Sequence, residues 1–140
     1  MSSYLTLAQF TQRLGSAHAV QLSSDSGAFT DDPLIQQLID EAEGFINSAV
    51  VTRVTAIPVD AADYPQTFAA LTGHTFVLAR EKLAERRPPV PPDWKTAADL
   101  ARAWLDKIAK GEILLPDTTA AGTVAAWGSS EKNASREDIV

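Results

Sequence analysis

The 140-residue sequence has no cysteine, which excludes disulfide bonds, thiolate metal sites and cysteine nucleophiles. Only two histidines occur, and neither His18 nor His74 has a partner at the helical spacing that a metal site requires. No run approaches the roughly 20 apolar residues that span a bilayer, and the N-terminus lacks the basic and apolar segments of a secretory signal. We therefore expect a soluble, intracellular protein whose histidines take ordinary surface or boundary positions.

Basic residues are scarce, since 12 Lys and Arg face 18 Asp and Glu, for a net charge of −6. Affinity for nucleic acid comes largely from basic side chains that neutralise phosphates, so this balance argues against a dedicated DNA-binding protein. An acidic protein could still line a channel through which DNA passes without sticking. Arg86 and Arg87 are the only adjacent basic pair. They either anchor an acidic partner or DNA, or complement the negative C-terminal end of a helix.

Motifs that carry chemistry are also missing. The sequence has no glycine-rich phosphate loop, nucleophile elbow, paired metal-binding histidines or calcium loop. Carboxylates do cluster, but Asp31 and Asp32 are explained as a helix cap. The solvated face of the following helix accounts for the others, Asp40, Glu41 and Glu43. We expect no catalytic activity, no cofactor and no metal, because an enzyme would need an unrecognised pocket that uses Asp40, Glu41 or His74.

What the sequence does contain is helical periodicity. Hydrophobic residues make up 45% of the chain, enough for the core of a single domain. Their spacing predicts helices over residues 6–14, 17–22, 33–50, 65–85 and 93–110. Thr6 and Asp32 are the expected N-caps of the first and third helices, while Gly15 and Gly111 end helices. The predicted fold class is all-α: a small bundle of about four main helices with a flexible C-terminal tail.

Two segments between the helices have a character of their own. Residues 51–59 are rich in β-branched side chains and contain Pro58 near their end. They are either extended or continue the preceding helix to about Arg53. Residues 88–92 contain four prolines, which enforce an extended, polyproline-like backbone. This run is either a stiff spacer between packed helices or a ligand for a proline-binding domain.

The C-terminal part differs in composition from the predicted helical domain at residues 1–115. From 116 to 140, mostly small and polar residues surround one large side chain, Trp127. This tail cannot bury enough apolar area to offset its ordering entropy, so we expect it to be flexible in a monomer and ordered on assembly. Trp127 either inserts into a partner's pocket or folds back on its own domain. The residues that we predict to contact partners are Trp127, Val124, Leu114, Leu115, Arg86 and Arg87.

The order of these elements resembles that of a known protein family. The segments that carry the resemblance are 4–10 (YLTLAQF), 32–35 (DPLI), 42–48 (AEGFINS), 53–59 (RVTAIPV) and 105–115 (LDKIAKGEILL). Over about residues 4–115 they resemble the neck proteins of Mu-like tailed phages, the small connectors between portal and tail. Where the family pattern has Ser, Asp and Tyr, this sequence has Glu43, Asn47 and Val54. The tail beyond Pro116 lies outside the resemblance.

The resemblance implies a structural role in the virion neck. Such proteins are expected to form a dodecameric ring of helical subunits below the portal and to let DNA pass through the lumen without specific binding. The implied partners are further copies of the chain, the portal protein and a downstream neck or tail protein, with no membrane. We therefore expect a head–tail connector, made in the bacterial host cytoplasm and located in the virion neck. The alternative left open is a small cytosolic helical binding or regulatory module, which oligomer size would distinguish.

Overall fold

The structure, a computed structural model, describes residues 4–25, 27, 30–54 and 56–117. Within these ranges the helices are α1 (Leu7–Leu14), α2 (Ser16–Ser23), α3 (Asp32–Val50), α4 (Pro65–Ala84) and α5 (Pro92–Lys110). No strand occurs in the described ranges, so the all-α prediction is confirmed. Three of these helices are long and two are short, where the sequence indicated about four main ones. None of the described helices is long and apolar enough to cross a membrane.

Helix starts follow the capping residues. The Thr6 hydroxyl accepts a hydrogen bond from Gln9 N (3.1 Å) and the Gln9 side chain accepts one from Thr6 N (3.0 Å), so the predicted cap of α1 is confirmed. The N-cap of α3 is Asp31 rather than the predicted Asp32. The Asp31 carboxylate accepts from Leu34 N (3.2 Å), and the helix begins one residue earlier than expected. Asp32 then lies in the first turn, where a carboxylate favours the helix dipole.

The core lies where α3, α4 and α5 pack against one another, with α1 and α2 packed on α3. The apolar stripes of the helices and the segment before α1 supply its side chains. The largest fully buried apolar residues are Phe10, Leu5, Ile35, Ile39, Ile46, Leu71, Leu83, Leu105, Ile108 and Val50. Burying an aliphatic side chain of this size contributes roughly 1.5–3 kcal/mol. Packing of these stripes, more than helix propensity, therefore holds the bundle together.

The segment after α3 connects that helix to the end of α5. The helix ends at Val50, and Arg53 N donates to Val50 O (2.8 Å) in a turn, so the helix does not continue to Arg53. The described residues of this segment, 51–54 and 56–59, form no strand. The Arg53 guanidinium donates to Ile108 O (3.0 Å) and Ala109 O (3.1 Å), two carbonyls at the C-terminal end of α5. Gly111 follows with φ 77°, and a Cβ there would meet Arg53 Nη2 at 2.8 Å. The predicted glycine end of α5 is confirmed.

A buried carboxylate holds the segment before α1. Glu43 is 5% exposed, and its Oε2 accepts hydrogen bonds from Tyr4 N (2.7 Å) and Leu5 N (3.2 Å). The Tyr4 hydroxyl donates to Asn47 Oδ1 and accepts from Val59 N (2.9 Å). The prediction of a solvated Glu43 is therefore wrong, because two backbone N–H groups that precede α1 have no helical partner and bind this carboxylate instead. We call this arrangement the Tyr4–Glu43 contact.

Candidate docking surface

The histidines occupy the surface and boundary positions that the sequence predicted. His74 is half-buried, its ring centroid lies 4.7 Å from that of Trp104, and desolvation lowers its pKa. His18 is exposed, with its ring 6.1 Å from that of Trp94. Among the residues that the structure describes, no group of three or more His, Cys, Asp or Glu side chains could hold a metal ion.

The acidic residues of α3 fall into two groups. Asp40 and Glu41 are exposed, as predicted, and each accepts a hydrogen bond from a glutamine one turn earlier, Gln36 (2.9 Å) and Gln37 (3.1 Å). Glu43 is instead buried in the Tyr4–Glu43 contact, where its carboxylate binds backbone N–H groups. The carboxylates of α3 therefore do not converge on one site.

The adjacent arginines at the end of α4 bind the end of α2. Arg86 Nη1 donates to Ser23 O (2.6 Å), and Arg87 Nη2 donates to Ser24 O (2.9 Å). Both guanidinium groups also face the exposed Asp25 carboxylate, at 3.1 Å and 3.5 Å. Terminal carbonyls of a helix lack intrahelical partners, so this contact stabilises the α2 end. A partner that binds these arginines would share or displace this contact.

The segment after α5 turns back onto α4. Leu115 is buried, with 2% exposure, whereas the neighbouring Leu114 is 56% exposed. The Asp117 carboxylate accepts a hydrogen bond from Thr67 N (2.6 Å), one of the first-turn N–H groups of α4 that lack an intrahelical partner. The last described residue is thus fixed at the N-terminal end of α4.

The residues predicted to contact partners do not form one cluster. The arginine pair lies at the C-terminal end of α4 and Leu114 near its N-terminal end, separated by roughly 30 Å for a helix of this length. Val124 and Trp127 lie outside the described residues. That these residues contact partners therefore stays a prediction.

An apolar groove lies between α3, α4 and α5, at a place that the sequence did not single out. Its volume is about 250 Å³, and it is lined by Glu41, Ala42, Phe45, Leu78, Lys82 and Arg102. Phe45 has the spacing of the apolar stripe of α3, yet its side chain is 47% exposed. Periodicity shows which face of a helix is apolar but not how much of that face other helices cover. We call this feature the Phe45 groove.

One rim of the Phe45 groove is held by ion pairs between α4 and α5. Arg102 donates to both carboxylate oxygens of the buried Glu81, at 2.7 Å and 3.1 Å, and also contacts Asp99 on its own helix. The hydrogen bond from Arg102 lowers the pKa of Glu81 and of Asp99, and the bond to Glu81 raises the pKa of Arg102. The two-pronged pairing fixes the guanidinium in one orientation at the edge of the groove.

Over the described residues, fold and surface together define a small all-helical bundle with an apolar groove, whose last described residue, Asp117, is bonded to α4. The model of the family described as Bacteriophage Mu, Gp36 matches residues 4–132, nearly the whole chain. The chain therefore belongs to this family: it is a Mu-like phage protein, and the family indicates a phage structural or assembly role. No curated protein and no solved structure matches the chain.

The family match corrects the extent of the resemblance seen in the sequence. The Mu-like assignment is confirmed, but the match continues past Leu115 to residue 132. It thus includes Val124 and Trp127, which lie beyond the resemblance visible in the sequence. Small-residue segments such as this one carry little periodicity, so packing patterns alone do not reveal that they belong to a family.

Proposed function

We propose that the chain is a head–tail connector of a tailed phage, a structural protein without catalytic activity. Its copies form a ring below the portal, conduct DNA through the lumen and join capsid to tail. The family match supports the structural or assembly part of this proposal. The ring, the portal contact and the position in the virion neck go beyond the family match, and we propose them here.

The proposal depends mainly on one observation: the buried carboxylates bind other parts of the same chain. Glu43 and Glu81 are the buried acidic residues of the described chain, and both are occupied by internal partners. Buried ionisable groups at reactive sites are instead left available to a substrate in a cleft. Here they hold elements together, so the protein's work falls to its outer surface.

The charge of the bundle supports passage of DNA without binding. The helix α3 contains no Lys or Arg, and its solvated face exposes Asp32, Asp40 and Glu41. Phosphates are attracted to surfaces by basic side chains, which this face lacks. We propose that the flanks of α3 and α5 form the ring contacts, with the portal and the next neck or tail protein above and below.

Electron microscopy of the full-length chain mixed with its cognate portal tests this proposal. We expect a ring of twelve copies on the portal, matching the dodecamer implied by the resemblance, and no ring on a portal from an unrelated phage. Light scattering of the chain alone gives the size of the free form. A chain that stays a small oligomer and never joins the portal would contradict the proposal and favour a cytosolic binding or regulatory module.

A further inference from the structure

We infer that the Phe45 groove receives residues 124–127 of a neighbouring copy of the chain. The inference rests on the proposed function only in requiring that copies lie side by side. It assigns the groove an occupant of stated chemistry: a short uncharged segment, Val-Ala-Ala-Trp, that ends in an indole.

The groove has the chemistry of a site for an apolar side chain. Its floor consists of the buried residues Ala42 and Leu78, and Phe45 lies beside them with half of its ring surface open to solvent. Lys82 and Arg102 lie at the rim, where Arg102 is held by Glu81. An apolar floor with a charged rim is the arrangement found at the centre of protein interfaces.

Residues 124–127 fit this floor better than the rest of the C-terminal segment does. They carry no charge, and the next charged residues, Glu131 and Lys132, come after a short polar stretch. Tryptophan is enriched among the residues that dominate binding energy, because one side chain buries a large rigid surface. The segment therefore offers an apolar anchor that matches the apolar floor of the groove. No residue of the described chain fills that floor.

Geometry favours the groove of a neighbour over the chain's own groove. The segment leaves the bundle at Asp117, which is bonded to Thr67 at one end of α4. From Thr67 to the groove residues Leu78 and Lys82 is about 16–22 Å along the helix. The ten residue steps from Asp117 to the anchoring Trp127 have a typical span of about 16–19 Å if the linker is a flexible coil. That span only matches the distance along the helix, and a linker to the chain's own groove must in addition pass around the outside of the bundle. Docking in the chain's own groove would therefore need a stretched linker.

Cysteine cross-linking tests the inference in the full-length chain, which has no natural cysteine to interfere. One chain carries Glu41→Cys at the groove rim, and a second, tagged chain carries Ala126→Cys beside Trp127. The two are mixed, assembled on the portal and oxidised. We expect a disulfide between tagged and untagged chains that forms at least about tenfold faster than with a control pair, because docking raises the local concentration of the thiols. The control replaces Glu41→Cys by Leu100→Cys, at a site on α5 that is 66% exposed and outside the groove.

A further variant tests whether the cross-link depends on the apolar contact with Phe45. Adding Phe45→Ser to the Glu41→Cys chain should reduce the rate to that of the control pair while the chains still join the portal. Equal rates for the groove pair and the control pair would overturn the inference. So would a link within one chain, formed by a Glu41→Cys/Ala126→Cys double variant at dilutions where copies are alone.

The two proposals fail in different ways. Copies that join the portal without the cross-link contradict the docking of residues 124–127 and leave the connector function standing. Copies that never join the portal contradict the connector function, and the inference about the groove then falls with it.

Discussion

Glu43 and Phe45 lie two residues apart on α3, and each has the environment usual for the other's side-chain type. The carboxylate is 5% exposed inside the Tyr4–Glu43 contact, while the aromatic ring is 47% exposed at the Phe45 groove. Glu43 is buried because two backbone N–H groups need an acceptor there. Phe45 is open because no described element covers that side of α3. The first region therefore serves the fold of one copy, and the second remains available for contact.

The two residues are not equally informative. Buried positions are mostly apolar, but many apolar residues are also exposed on protein surfaces. Single exposed apolar residues are common and need no explanation, whereas a buried carboxylate must be satisfied. The exposure of Phe45 points to a docking surface only because Phe45 lines a groove together with Ala42 and Leu78. The comparison can be tested by substitutions in the two regions, which should separate effects on stability from effects on assembly.

Of the substitutions within these two regions, Glu43→Ala is expected to have the largest effect on stability. The change leaves the N–H groups of Tyr4 and Leu5 buried without an acceptor, which we expect to lower the free energy of unfolding by about 3 kcal/mol. Urea unfolding of the free chain measures this loss. The matched control is Glu41→Ala on the solvated face, with an expected change within about 0.5 kcal/mol. Equal effects of the two substitutions would remove the distinction between the regions.

A smaller effect, dependent on pH, is expected from Glu81→Gln at the rim of the groove. The pKa of Glu81 is lowered in the folded state, chiefly by its hydrogen bond from Arg102, from an ordinary value of 4.5. A lowered folded-state pKa means that the stabilisation is complete above the ordinary pKa and is lost as the pH falls through the folded value. At neutral pH we expect a loss of about 1–2 kcal/mol, reduced from that of a fully buried pair because the Arg102 side chain is 36% exposed.

The pH profile provides the check on this second prediction. The natural chain should lose stability more steeply than Glu81→Gln as the pH is lowered from neutral to well below 4.5. Thermal unfolding across that range measures both curves. Parallel curves for the two proteins would show that the ion pair does not contribute in the folded state.

Phe45→Ser should change the stability of the free chain by no more than about 1 kcal/mol, because the ring is already half exposed. Joining of the portal, measured by sedimentation of portal complexes, should be weakened but not lost, so that the variant still forms the complexes used for cross-linking. The neighbouring residue supplies the contrast: Ile46 is fully buried, and Ile46→Ala should cost about 2–5 kcal/mol. A large loss of stability from Phe45→Ser would place Phe45 with the core and not with a docking surface.

The smallest effect on the free chain is expected from Trp127→Ala. We expect an unchanged Tm for the free monomer together with impaired assembly on the portal, because we propose that the indole docks on another copy. Calorimetry of the monomer and electron microscopy of the portal mixture are the two measurements. If the variant lowers the Tm of the monomer, the indole already packs on its own domain and the docking idea is wrong.

Local features of the sequence predicted much of the fold. The capping box at Thr6 and the glycine ends at Gly15 and Gly111 place helix boundaries to within a residue or two, because each acts on the backbone next to it. Pro65 opens α4, as expected for a residue without an N–H. The Lys110–Asp106 ion pair follows from the spacing of one helical turn.

Features that depend on contacts between distant segments were beyond such prediction. The same spacing would pair Arg102 with Asp106, yet Arg102 binds Glu81 on the neighbouring helix. Glu43 has helical spacing with the buried residues Ile39 and Ile46, but only the position of the segment before α1 explains a carboxylate there. The groove is likewise absent from any single helix, since three helices create it.

The meeting of Arg53 with the end of α5 has an evolutionary consequence. The guanidinium occupies the space that a side chain at Gly111 would need, and the left-handed backbone there already disfavours one. The side chain that position 111 can accept therefore depends on the residue at position 53. In an alignment of relatives, a larger residue at position 111 should appear only where the arginine at position 53 has also been replaced, and the reverse change should be tolerated alone.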